Sequence, residues 1–110
     1  MKSFTTTTAT LLALALASSV AANTWTLYCG DSCSDGTAIA TGSNFTGSAC
    51  TNLTSEYEYC YLSADKLFYY GIVYQEADCV VSSDAPRSLI QPGECTDSGA
   101  FESYRVVVDL

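Results

Sequence analysis

The chain has 110 residues, with 12 acidic against 4 basic side chains, no histidine and six cysteines. A chain of this length makes one domain, and burial of its core alone stabilises it only marginally. The acidic balance argues against a nucleic-acid binder, which needs a cationic surface to displace counterions, and against docking on anionic lipid.

Residues 1–22 read as a removable signal peptide. Lys2 gives a short positive start, Ala9 to Ala17 is apolar, and the small residues Ser18 to Ala22 precede a cleavage site after Ala22. The apolar stretch is much shorter than the roughly 20 residues of a membrane span, and no later run is long enough to insert. The expected location is therefore secreted and extracellular. All six cysteines fall in residues 23–110, an even number that reads as a disulfide framework in a small extracellular chain. The sequons Asn44-Phe45-Thr46 and Asn52-Leu53-Thr54 make Asn44 and Asn52 candidate glycan acceptors.

The first predicted strand, Trp25 to Cys29, is rich in aromatic and β-branched residues. Asp31 to Gly36 has turn chemistry, Thr37 to Thr41 is a short strand, Gly42 to Ser48 a loop, and Glu56 to Leu62 a closing strand. A polar connector follows. Phe68 to Tyr74 and Ser88 to Gln91 are then strands, Gln91-Pro92-Gly93 is a turn, and Ser103 to Val108 closes the chain as a strand. No segment sustains a 3.6-residue apolar period. The class is all-β, in a sandwich or small barrel.

These elements fall into two copies of one unit, about residues 24–64 and 68–110, in a single β domain. Tyr28 precedes Cys33 by five residues, and Tyr59 follows Cys50 by nine; Tyr74 and Cys79, then Cys95 and Tyr104, repeat those spacings. Such self-similarity marks a duplicated structural unit.

Ser103-Tyr104-Arg105-Val106 resembles the closing-strand signature of the βγ-crystallin family, and Glu58-Tyr59-Cys60-Tyr61 is its weaker counterpart. Tyr28 and Tyr74 stand where that family's first aromatic belongs, with Cys33 and Cys79 replacing the second. The family's turn glycine comes one position late, at Gly36, and is missing from the second unit. The resemblance implies two Greek-key units packed into one β-sandwich. It also extends to fungal small secreted cysteine-rich proteins and killer toxins, and so implies an effector- or toxin-like protein.

Six cysteines allow 15 pairings. Because Cys33 corresponds to Cys79 and Cys50 to Cys95, the repeat predicts one bond within each unit, Cys33–Cys50 and Cys79–Cys95. Cys29 and Cys60 lack repeat mates and are expected to pair together. Each lies one residue past a tyrosine, which places both sulfurs on the face opposite Tyr28 and Tyr59.

Without histidine there is no Ser-His-Asp triad, no Cys-His pair and no His-liganded zinc. Ser63-Ala64-Asp65-Lys66 matches S-x-x-K without its partner motifs. Glu56 and Glu58, two apart on an expected strand, form an acidic face rather than a hydrolytic pair. Asp31 to Gly36 lacks the acid that would complete a calcium loop, since the position it requires is Gly42. No metal, cofactor or enzymatic activity is expected. The tyrosines fill a sandwich core with their hydroxyls at its edge, and also suit sugar rings or a protein partner. Tyr57, Tyr69 and Tyr70 are the candidate binding surface. The expected protein is non-catalytic and acts by binding an extracellular protein or glycan. A cell-wall glycan module is one alternative, and an antimicrobial protein is another that the negative charge disfavours.

Overall fold

The structure, a computed structural model, describes residues 23–110; the expected leader, residues 1–22, lies outside the described residues. Seven strands follow in order: β1 (Trp25–Gly30), β2 (Thr37–Gly42), β3 (Ser48–Tyr57), β4 (Tyr59–Ala64), β5 (Tyr69–Tyr74), β6 (Arg87–Ile90) and β7 (Phe101–Val108). One turn of 3-10 helix, Ala77–Cys79, interrupts the β5–β6 connection. The strands form two antiparallel sheets, ordered β2-β1-β4 and β3-β7-β5-β6. The all-β class holds, and five of the six expected strands appear within one or two residues of their predicted bounds.

Strand parity sets the core. In β1, Trp25, Leu27 and Cys29 are buried while Thr26 and Tyr28 are half-buried; in β4, Cys60 and Leu62 are buried between half-exposed tyrosines. The second sheet adds Tyr69, Val73, Ile90, Tyr104 and Val106 to the same cluster. The Trp25 indole closes over Gly42, where a Cβ would stand 2.5 Å from the indole nitrogen.

The first departure from expectation is β3. Its ten residues, Ser-Ala-Cys-Thr-Asn-Leu-Thr-Ser-Glu-Tyr, form an edge strand with only Ser48, Leu53 and Tyr57 half-buried, so it carries almost no apolar alternation to read. The chain breaks at Glu58 and starts β4 at Tyr59. The single closing strand expected over Glu56 to Leu62 is therefore two strands in two different sheets.

β3 leaves its own unit and pairs with β7 of the second. The second unit returns the exchange. Its segment 93–99 runs along the open edge of β4, with Gly93 N–H donating to the Leu62 carbonyl, Leu62 N–H to Glu94, Thr96 N–H to Cys60 and Gly99 N–H to Glu58. Cys95 bridges to Tyr61 as a rudimentary strand. Each unit thus seals an edge that would otherwise present unpaired backbone groups.

This exchange corrects two of the three expected disulfides. Cys29–Cys60 forms as parity predicts, between register partners of β1 and β4 buried in the core. The other bonds are Cys33–Cys95 and Cys50–Cys79, not Cys33–Cys50 and Cys79–Cys95. In both bonds, the cysteine that follows a unit's first strand joins the cysteine on the other unit's third segment, because that segment has crossed over. Among the described residues no cysteine is free.

Candidate functional site

The predicted binding tyrosines do not converge. Tyr69 is fully buried: its hydroxyl donates to the Asn23 carbonyl and accepts the Phe45 N–H at 3.1 Å. It ties Asn23 and the β2–β3 loop to β5, and is unavailable to any partner. Removing this hydroxyl in Tyr69→Phe leaves two backbone groups without their partner, and urea unfolding should show a loss of about 1–2 kcal/mol. Tyr57, at the end of β3, lines a groove between the β2 and β3 edges with Ile39, Leu53 and Tyr104. Tyr70 is half-buried on the opposite face of β5, beside the exposed Leu67 and Leu89. Tyr57 and Tyr61, which a single strand over Glu56 to Leu62 would place on one face, stand on different sheets.

The structure assembles a different pair. Tyr28 and Tyr61 are direct register partners across β1 and β4, with ring centroids 6.2 Å apart and planes tilted by 42°. Both point outward, because Cys29 and Cys60, the next residue before or after each, point into the core. Together with Cys33, Ser34, Gly36 and Ser63 they line an open cavity of about 280 Å³. Tyr59 is half-buried two residues before Tyr61 on the same strand. The lining carries no charge, although the whole chain is strongly acidic.

Local chemistry builds this shelf. The β1–β2 connection brings Ser34 and Gly36 over Tyr28, and a Cβ on Gly36 would sit 3.1 Å from Tyr28 Cβ. Cys33 is pinned to Cys95, hence to the segment sealing β4. The two bonds Cys29–Cys60 and Cys33–Cys95 therefore hold the strands and the rim of one surface. The signal for it lay in the sequence: if the sulfurs beside Tyr28 and Tyr61 close the core, the tyrosines must face solvent.

The acidic candidates have other partners. Glu58 lies in the bend between β3 and β4 and accepts the Ser98 hydroxyl at 2.7 Å. Glu56 remains on β3, facing Glu102 and Ala77 across a shallow depression. Asp31 to Gly36 is occupied in connecting β1 to β2, and among the described residues no three acidic or sulfur side chains cluster as metal ligands. Among those residues no helix is long and apolar enough to cross a membrane. Comparison with family models, curated proteins and solved structures found no match.

Proposed function

We propose that residues 23–110 act outside the cell as a non-catalytic binding protein of the effector- or toxin-like, small cysteine-rich kind. Its partner on this reading is a neutral cell-wall polysaccharide seated on Tyr28 and Tyr61. The observation that carries the reading is the outward tyrosine pair on a surface whose strands and rim are crosslinked.

The apolar C–H faces of a pyranose ring pack on aromatic rings, while hydroxyls of Ser34, Ser63 and the tyrosines exchange hydrogen bonds with the sugar. A rigid shelf loses little further freedom on binding, so more of the contact energy appears as affinity. The uncharged lining favours a neutral glycan over an anionic one. It also supports binding without hydrolysis, since no carboxylate stands there as general acid or base. Three disulfides in so small a domain support the extracellular setting. The placement of β4 beside β1, with β3 passing to the other sheet, supports the βγ-crystallin resemblance.

Adsorption on insoluble chitin and β-glucan tests the proposal. The wild-type protein should be depleted from the supernatant by at least one of them. Tyr28→Ala/Tyr61→Ala should bind at least about tenfold more weakly, the loss of two stacking contacts of about 1 kcal/mol each, whereas Tyr70→Ala should bind as wild type. Recovery of all the wild-type protein in the supernatant, or equal adsorption by the double variant, would remove the polysaccharide from the reading.

A further inference from the structure

The two sequons stand in unlike surroundings. Asn44 is exposed at the tip of the turn closed by Thr46 N–H to the Ser43 carbonyl. It and Phe45 both have positive φ, 56° and 65°, and the turn is pinned from beneath by the Trp25 indole N–H on the Thr46 carbonyl and by Tyr69 on Phe45 N–H. The anchors are backbone atoms of Phe45 and Thr46, and among the described residues the Asn44 amide makes no hydrogen bond.

Asn52 is engaged on both atoms of its amide. Asn52 Oδ1 accepts the Asp78 N–H at 2.7 Å, and Nδ2 donates to Asp78 Oδ1 at 3.0 Å. A backbone N–H can only donate and a carboxylate can only accept, so these partners set the amide's orientation. Asp78 and Cys79 are consecutive non-glycine residues with φ of 60° and 57°, a conformation that needs outside support. The Asn52 clamp supplies it beside the Cys50–Cys79 bond, and Ser103 Oγ adds a third hold by accepting Cys79 N–H and donating to the Glu76 carbonyl.

Both amide atoms face the same residue, so the hydrogen given to Asp78 is the one on the oxygen's side of the C–N bond. A substituted amide takes the trans form, which puts the new substituent on that same side. An N-linked sugar at Asn52 would replace the very hydrogen the clamp uses.

We propose that the two sequons have divided roles: Asn44 carries the N-glycan of the folded protein, and Asn52 is a clamp that stays unmodified in every molecule with a closed Cys50–Cys79 bond. The full chain is produced in a eukaryotic secretory host, and cell-associated and secreted pools are resolved by gel mobility with and without N-glycosidase. Thr46→Ala and Thr54→Ala each delete one sequon while leaving its asparagine in place. Thr46→Ala should abolish the glycosidase-sensitive shift of the oxidised protein, and Thr54→Ala should leave it unchanged. Peptide mapping of the oxidised pool should find the glycan at Asn44 alone.

A glycan at Asn52 in molecules holding Cys50–Cys79 would overturn the proposal, as would oxidised protein bearing no glycan at Asn44. The clamp is checked without glycosylation in protein refolded from a bacterial host. There Asn44→Asp, which keeps a side chain tolerant of the positive φ at this position, should melt with wild type, and Asn52→Gln should melt several degrees lower or fail to close Cys50–Cys79. Equal melting of Asn52→Gln and wild type would sink the clamp.

Discussion

Replacing Cys33 and Cys95 together by serine is expected to lower the unfolding free energy by about 4 kcal/mol, somewhat more than replacing Cys50 and Cys79. The first bond spans 62 residues and the second 29, and in the chain-entropy description the longer loop restricts the unfolded chain more. Either loss is a large fraction of the net stability of about 5–15 kcal/mol usual for a domain. Thiol titration makes the pairing itself testable. The Cys33→Ser/Cys95→Ser protein should fold with no free thiol, since each remaining cysteine keeps its partner. Cys33→Ser/Cys50→Ser should instead strand Cys79 and Cys95, giving two reactive thiols or a mixture of crosslinked species. A single native-like product with no thiol from this second variant would restore pairing within each unit.

Trp25→Ala should cost about 3–5 kcal/mol, the range for deleting a large aromatic from a core. Trp25 is 1% exposed, fills the space above Gly42, and donates its indole N–H to the Thr46 carbonyl at 2.7 Å. Three regions loosen at once: the start of β1, the end of β2 and the turn bearing Asn44. Trp25→Phe keeps an aromatic ring in the site but orphans the Thr46 carbonyl, so it should cost less than the alanine change and more than a conservative core swap, about 1–3 kcal/mol. Because Trp25 is the sole tryptophan, unfolding of both variants is followed by far-ultraviolet circular dichroism in urea. Wild-type midpoints for Trp25→Ala would show that the indole is not packed as described.

Part of the tyrosine shelf was legible through a residue pair that seemed merely structural. Cys29 and Cys60 lack repeat mates, pair with each other and fall in the core, which turns the neighbouring Tyr28 and Tyr61 outward. Tyr57, Tyr69 and Tyr70 stand where aromatic residues are dense along the chain. Density does not report direction: Tyr69 and Tyr70 are adjacent in β5, yet one is fully buried and the other half-exposed. The partners of Tyr69, Asn23 and Phe45, lie 46 and 24 residues away in sequence, and nothing local points to them.

The sequence by itself determined the β class, most strand positions and the Cys29–Cys60 bond. These follow from side-chain alternation, turn residues and spacing, all read within a few neighbours. Only the tertiary structure decided which sheet each strand joins. β3 carries too few apolar residues to declare itself, and its place depends on the free edge of β7, just as segment 93–99 depends on the free edge of β4. Edge pairing is a long-range match of backbone groups that side-chain pattern barely encodes. That exchange sends Cys50 and Cys95 across to the opposite halves of the chain, so pairing by repeat correspondence led to the wrong crosslinks.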